Sequence, residues 1–597
     1  MLNPSPIPGA PTGSAQHRSR GACTVALVAA LFTACTSAKE QVPQAQAPQA
    51  PVDELVSTNG AVVSAQYLAS EVGAAMLAKG GNAVDAAVAT AFALAVTYPA
   101  AGNIGGGGFM VIRLADGTAT TIDYREKAPA KSTPTMYLDA IGRISPAATD
   151  SGWRAVGVPG TVRGLAMAHT KFGKLPWADV VMPAVQLAEQ GFALSAPFAN
   201  ELNSTVATQF AGFPASVAAY GKPGGDKWVG GDTIRLPQLG RALRAIADGG
   251  PDAFYKGWIA DSIDAQMKAH RGLIRRADLA AYKAVEREPV RGTFNGYDLI
   301  AMGPPSSGGM VTMLTLNQLE ALGIAGRKRS DAMTLHLRIE VARRAYLDRA
   351  RWMGDPDFTK IPLARLISKE YARELAAGID TTHASSSADL GKDILSPTAE
   401  SPHTTHFSVV DAAGNAVSNT YTLESGYGSG VVVAGFLLNN EMGDFNKKPG
   451  YTDNGWAIGT RANVIAPGKR MLSSMSPVIV TQGGALRLVT GSPGGRTIPN
   501  TVLNVVLGVT AFGEGVRAAV DAPRIHHQWM PDTANFETGA ATPAVIAALR
   551  AMGHHIKEEP AGSQGDAHSI LYDAATRTAR VANDKRSPDS GARAPKP

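Results

Sequence analysis

The sequence predicts an α+β protein, on three observations. Residues from Arg154 to about Asp380 carry long amphipathic helical runs, and the chain from Thr405 to Thr490 reads as a succession of strands. A polar segment from Thr381 to Pro402, with Ser385-Ser386-Ser387 and several Asp and Pro residues, separates the two and has the composition of a linker. At 597 residues the chain exceeds the size at which one hydrophobic core stops growing, so two domains or one large two-lobed body is expected. The 45% hydrophobic and 18% charged composition is that of a globular protein, and 64 glycines imply many tight turns.

Taken from the start, His17, Arg18 and Arg20 form a basic patch before the apolar run Ala22 to Ala34, the pattern of an export signal, and one too short to span a bilayer. Leu31-Phe32-Thr33-Ala34-Cys35 is similar to a bacterial lipobox. Lipidation of Cys35 and ordinary cleavage nearby both remain open, and a lipid there is the one membrane attachment the sequence offers. Residues 1–35 are therefore read as signal, and 36–53, rich in Gln, Ala and Pro, as a flexible tether. Ala61 to Ala65 reads as a buried strand. Ser70 to Leu77 and Asn82 to Val96 read as Ala-rich helices, parted by Gly80-Gly81, with Asn82 as the N-cap of the second. Ala332 to Arg351 repeats its apolar residues at helical spacing.

Beyond the linker, strands are expected at Thr405–Asp411, Ala416–Leu423, Val431–Leu438, Val478–Thr481 and Leu486–Thr490, and helices at Thr501–Ala511 and Pro543–Met552. The last residues, 587–597, are too polar and Pro-rich to order themselves.

A net charge of +6, spread without a basic stripe, argues against nucleic acid as a partner. Both cysteines, Cys23 and Cys35, lie in the leader, so no disulfide is expected in the folded body.

The chemistry concentrates just after the linker. Breaking the His403–Thr404 bond would give Thr404 a free α-amine with a pKa of about 7.7 to 8.0, a base for its own hydroxyl. Ala412-Ala413-Gly414 fits a three-residue hairpin loop pairing Asp411 with Asn415, and counting back brings Thr422 opposite Thr404. Threonines also favour strands for packing alone, so the hairpin pattern does not by itself assign a role. Gly494-Gly495, following a strand, offers two unobstructed backbone N–H groups suited to an oxyanion. Ser473-Ser474 supplies paired hydroxyls, and Glu441 and Asp444 supply carboxylates at the end of a strand. His406 follows the strand alternation toward packing. His526 and His527 lack a third ligand at metal spacing, and no GxSxG, Walker A or HExxH pattern occurs, so neither a metal nor another cofactor is expected.

In this order the strings around Thr404, Glu441, Ser473 and Gly494 resemble the small subunit of γ-glutamyl transpeptidases, which belong to the N-terminal nucleophile hydrolase group. The resemblance extends upstream through Lys79 to Ala87, Gly102 to Phe109, Asp123 to Glu126, Gly157 to Gly160, Pro304 to Gly309 and Gly354 to Phe358, and downstream through Ala522 to Trp529. It implies a four-layer αββα sandwich built from a large subunit, 54–403, and a small one, 404–586, produced by self-cleavage. By the same resemblance Thr404 is the nucleophile, Thr422 its hydroxyl partner, and Gly494 and Gly495 the oxyanion hole. Arg125, Ser473 and Ser474 would hold the substrate α-carboxylate, while Glu441 and Asp444 would take the α-ammonium. Glu424 stands where many relatives have asparagine, and still accepts hydrogen bonds from an ammonium.

The activity implied is cleavage of glutathione and other γ-glutamyl compounds, with transfer to water or to amino-acid and peptide acceptors, by an exported enzyme of the bacterial envelope, periplasmic or lipid-anchored. Pro449 to Pro467, with Tyr451 and Trp456, resembles a lid loop that many relatives carry. Two rival readings are an acylase of the same fold acting on glutaryl or cephalosporin amides, and an uncleaved periplasmic glutathione-binding protein.

Overall fold

The computed structural model describes residues 54–392, 394, 403–449 and 461–596. The expected signal and tether, much of the linker's second half, and the tip of the 449–467 loop with Tyr451 and Trp456 lie outside the described residues. No helix among the described residues is long and apolar enough to cross a membrane.

Two seven-stranded sheets organise the fold, and the pairs that define their register are antiparallel. In the first, Thr405–Asp411 and Ala416–Thr422 lie at the centre, flanked by Gly60–Ser64 and Gly107–Arg113. In the second, Val478–Gln482 and Ala485–Thr490 lie between Tyr297–Ala301 and Ser569–Asp573. Both sheets thus combine strands from before and after the linker, so neither half of the sequence could form its sheet alone.

Side-chain alternation in the first sheet feeds two cores. Val62, Met110, Ile112, Phe407 and Val409 pack with the helices Tyr67–Ala78, Ala83–Thr97 and Trp177–Gln190. Their neighbours Ala61, Val63, Phe109, Val111 and Val410 join a second core with Leu299, Val480, Leu488 and Ile570 of the other sheet and the helix Ile498–Thr510.

The Ala83–Thr97 helix begins where Asn82 accepts from the Val84 and Asp85 amides while Asp85 accepts from the Asn82 amide at 2.8 Å, a reciprocal cap. The preceding helix ends at Ala78, before Gly80 at φ +87°. The long scaffold helix runs Ala332–Trp352, with Asp331 accepting from Thr334 N.

The stretch from Arg154 to Asp380 is helix-dominated, and it also holds the strands Val285–Arg287, Val290–Phe294 and Tyr297–Ala301. The last two form a hairpin turning at Asn295-Gly296, both at positive φ, a strong sequence signal for a two-residue turn. Val431–Leu438 is not one strand but two pairs, Val432–Val433 and Phe436–Leu437, reversed at Ala434 (φ +51°) and Gly435 (φ +90°). Gly435 is required there, since a Cβ would lie 2.3 Å from the Leu239 backbone nitrogen. Nor is the tail without order: Gly591–Arg593 pairs with Val62–Ser64 at the edge of the first sheet. Pairing with an open edge supplies the backbone hydrogen bonds that the tail's polar composition could not predict.

Candidate active site

The hairpin register is as counted. Asp411 N donates to Asn415 O at 3.0 Å, Gly414 takes φ +90°, and Thr405 pairs with Tyr421, which sets Thr404 beside Thr422. The chain is continuous through His403–Thr404, so the Thr404 nitrogen is a peptide nitrogen here. Thr404 is 6% exposed, and its hydroxyl donates to Thr422 Oγ1 at 3.4 Å. Thr422 in turn donates to the His403 carbonyl at 2.9 Å and accepts from the Glu424 amide at 2.7 Å. Its one proton and two lone pairs are all engaged, which fixes the hydroxyl rotor against the bond between His403 and Thr404.

A cavity of about 250 Å³ opens on Thr404. It is lined by Thr422, Gly495, Arg125, Ser473, Ser474, Glu424, Glu441 and Asp444, with Met475 and Ile498 as an apolar wall. Gly494 is adjacent to this lining rather than part of it. It stands at φ +130° and Gly495 at φ +55°, and a Cβ on Gly494 would meet Thr497 Oγ1 at 2.4 Å. Among the described residues, neither glycine N–H donates to a backbone carbonyl.

Arg125 follows the strand Ala119–Asp123 and is 1% exposed. Asp123 accepts from its backbone N–H at 3.0 Å while also pairing with Arg287 at 2.8 Å and Arg470 at 3.2 Å. Asp357, from the Gly354–Phe358 string, grips Arg287 from the other side at 2.9 Å. This lattice holds the Arg125 backbone while its guanidinium faces the cavity. There it pairs with both Glu441 and Asp444, and Nη2 also donates to Leu472 O at 3.1 Å. Burial would depress the Arg125 pKa, but Glu441 and Asp444 outweigh it and hold the group above the ordinary guanidinium value. The groups assigned by resemblance to opposite ends of a zwitterion therefore bind one another in the cavity.

Three carboxylates, Glu126, Glu441 and Asp444, gather around this one guanidinium, and a fourth, Glu424, lines the same cavity. Burial pushes Glu126 up to about 8 against the pull of Arg125, and neither of its oxygens has a hydrogen-bond partner. Glu424 is likewise pushed up to about 8, by burial and then by Asp444. Burial also holds Glu441 well above its ordinary value, and its buried Oε2 is unpartnered. Glu424 sits at φ +80°, a region asparagine tolerates better than glutamate, with Asn440 and Ser425 donating to its Oε2. The short turn Glu441–Asp444 is anchored by Asn439, which accepts from Glu441 N and Gly157 N and donates to the Gly105 and Gly157 carbonyls. The Gly102–Phe109 and Gly157–Gly160 strings thus brace the carboxylate turn.

Sequence reasoning missed the brace behind the serines. Arg349, on the long scaffold helix, donates to Ser474 Oγ and Ser307 Oγ at 2.8 Å each, and Ser307 N and Oγ both donate to the Ser473 carbonyl at 2.8 Å. The Pro304–Gly309 string was the available signal, two hydroxyls pinned between Pro and Gly pairs. Asn463, at the foot of the 449–467 loop, donates to the Asp444 carbonyl at 2.7 Å. His406 is buried, with Nδ1 2.9 Å from Thr420 Oγ1 and Nε2 3.0 Å from Ser408 Oγ. Burial, then His568, pushes its pKa well below the ordinary value, and it does not line the cavity.

A family model described as Gamma-glutamyltranspeptidase matches residues 69–594. The chain belongs to the γ-glutamyltranspeptidase family. It is 43% identical over 559 residues to a glutathione hydrolase proenzyme of Escherichia coli, covering 92% of this chain and 94% of that one. A glutathione hydrolase proenzyme of Pseudomonas aeruginosa is 44% identical over 538 residues, covering 88% and 93%. Among solved structures, a cephalosporin acylase from Bacillus halodurans superimposes with a TM-score of 0.81 at 26% identity, over 93% of this chain and 99% of that one. Family membership and fold thus agree across both sides of the His403–Thr404 bond.

Proposed function

We propose that this chain is the precursor of a γ-glutamyltransferase and glutathione hydrolase that cuts itself before Thr404 and then uses Thr404 as its N-terminal nucleophile. One observation carries the reading. A hydroxyl residue at a strand start, a glycine turn, one arginine, two serines and three carboxylates from distant parts of the chain meet in a single cavity.

In the precursor, the Thr404 hydroxyl attacks the His403 carbonyl, to which Thr422 already donates. The C–O bond forms, the C–N bond breaks, and the hydroxyl proton passes to the departing Thr404 amine. Water then hydrolyses the resulting ester, leaving a carboxylate at His403 and a free amine on Thr404. The two products, 54–403 and 404–597, stay joined because both sheets interleave strands from each. The sheets packed across a common core, with helices on their outer faces, support a four-layer αββα sandwich.

In the mature enzyme the Thr404 amine takes the proton of its own hydroxyl as that hydroxyl attacks a γ-glutamyl amide. The Gly494 and Gly495 amides receive the oxyanion, the amine of the leaving group takes the proton, and water or an amino acid releases the acyl group from Thr404. The α-carbon end of the donor is a zwitterion, and it inserts into the Arg125–Glu441–Asp444 cluster by replacing like with like. Its carboxylate approaches Arg125 and the Ser473 and Ser474 hydroxyls, while its ammonium meets the free Glu441 Oε2, Asp444 and Glu424. The exchange is electroneutral, which limits the desolvation it costs.

An acylase reading is favoured by the overall likeness to the Bacillus halodurans cephalosporin acylase and by 38% identity over 512 residues to an acylase ACY 1 proenzyme of Pseudomonas sp. (strain SE83). The acidic cluster favours the γ-glutamyl reading, because glutaryl amides carry no ammonium to face it. Export to the envelope rests on the leader composition alone. The test is release of glutamate from glutathione, and γ-glutamyl transfer to a dipeptide, by the purified mature protein. Turnover of glutaryl amides with inert glutathione would overturn the reading.

A further inference from the structure

A second cavity lies between the helices Ala332–Trp352 and Ile498–Thr510 and the strand Ile525–His526. Its wall combines apolar Ile339, Ala342, Leu503 and Ile525 with polar Arg338, Asn500, His526 and His527. None of these residues lines the first cavity.

Arg338 is the anomaly. It is 5% exposed and forms no ion pair among the described residues. Its one hydrogen bond runs from Nη2 to Asn504 Oδ1 at 3.0 Å, and its buried Nε has no partner. The acid nearest to it in charge, Glu514, is already held by Arg329 through Nε at 2.8 Å and Nη2 at 2.5 Å. Asn504 Oδ1 is shared with Arg329 Nη1 at 2.7 Å, and Asn504 Nδ2 is a second buried donor without an acceptor. Burial, then repulsion from Arg329, lowers the Arg338 pKa to about 9, which still leaves it charged at neutral pH.

The histidines do not supply a counter-charge. Asn500 Nδ2 donates to His526 Nδ1 at 2.6 Å, so His526 carries its proton on Nε2, which donates to Gln528 Oε1 at 2.8 Å. Trp529 N donates to His527 Nδ1 at 3.2 Å, leaving Nε2–H to face Asp532. Both rings are neutral by this pattern, and burial holds both down at about 4. What remains is one buried positive charge with a donor to spare, in a pocket walled otherwise by four apolar and three neutral polar residues. A buried charge without a partner is strongly destabilising, whereas one with an opposite charge at hydrogen-bond distance is not.

We propose that this second cavity binds a small monovalent anion, a halide or a short-chain carboxylate, on the Arg338 guanidinium. A single uncompensated charge selects a monovalent over a divalent ion, whose extra charge would be desolvated without return. The apolar side of the wall, Ile339, Ala342, Leu503 and Ile525, suits a weakly hydrated ion or a carboxylate with a methyl tail. The site belongs to no step of the chemistry at Thr404, so it stands or falls independently of the γ-glutamyl reading.

The test is crystallographic and thermal. Crystals of the wild-type protein grown in sodium bromide should show an anomalous bromine peak within hydrogen-bond distance of Arg338 Nε, and crystals grown in sodium acetate should show planar density there. A peak in bromide alone assigns a halide site, density in acetate alone a carboxylate site, and both the general anion site. The unfolding midpoint should rise with bromide or acetate for the wild type, and that rise should be lost in Arg338→Met at matched ionic strength. Absence of both ions from the wild-type cavity, or equal midpoint shifts in the two proteins, would overturn the proposal. The wild-type crystals decide it even if Arg338→Met fails to fold.

Discussion

Replacing Thr422 by valine removes one hydroxyl and almost no volume, and the structure fixes what that hydroxyl does. It donates to the His403 carbonyl at 2.9 Å, the oxygen that would become the oxyanion in the proposed attack by Thr404. That distance is in the range at which one oxyanion donor contributes about 100- to 1,000-fold in rate, or about 2.7 to 4 kcal/mol. The same change strands the Glu424 amide, which now donates to Thr422 Oγ1 at 2.7 Å, and costs about 1 to 3 kcal/mol of stability. Thr422→Val should therefore fold, melt earlier, and self-cleave at least about 100-fold more slowly. Thr422→Ser keeps the hydroxyl and should cleave within about tenfold of wild type, since the lost methyl only loosens the rotamer. The assay is a time course of freshly purified precursor on denaturing gels, with a melting curve to show that each variant is folded. Wild-type cleavage kinetics in Thr422→Val would refute the role given to this hydroxyl.

Three further outcomes follow from the acidic cluster. Glu424, pushed up to about 8 by burial, is largely protonated at neutral pH, so KM for a γ-glutamyl donor should fall as pH rises toward 8. Glu424→Gln should flatten that profile, and an identical profile in the variant would count against it. The γ-glutamyl anilide should exceed the glutaryl anilide in kcat/KM by about 10- to 150-fold, the worth of one hydrogen bond between charged groups, and equal values would contradict the assigned ammonium site. Glu126, raised by burial from 4.5 to about 8, keeps a proton in the folded state that the unfolded chain has lost. Its contribution to stability is present below about 4.5 and lost as pH rises through about 8, so Glu126→Gln should melt higher than wild type at alkaline pH. An unchanged difference in melting between acid and alkaline pH would show that Glu126 is not the group responsible.

Local rules carried some parts of this site and not others. The Thr404–Thr422 register was legible because a three-residue loop with glycine in the left-handed position leaves a hairpin no other pairing. The Asn82 cap and the helix after it were legible for the same reason, since their partners lie within one turn. The Asn295-Gly296 hairpin was equally legible and overlooked, hidden in a stretch read for its helices. Other features depend on contacts that no local pattern encodes. Arg125 meets Glu441 across 316 positions, and Arg349 reaches Ser474 across 125. The resemblance named the cavity residues but not that Arg125 would pair with both Glu441 and Asp444, nor that Arg349 holds the serine pair. The break in Val431–Leu438 was invisible for a related reason: its cause is a close approach to Leu239, which a run of apolar residues does not reveal.

N-terminal sequencing of the smaller fragment from purified protein bears most directly on the claim that one backbone cut creates the catalyst. The account predicts a chain beginning at Thr404 and no such fragment from Thr404→Ala. A fragment starting elsewhere, or a Thr404→Ala protein that still splits and still releases glutamate from glutathione, would contradict it.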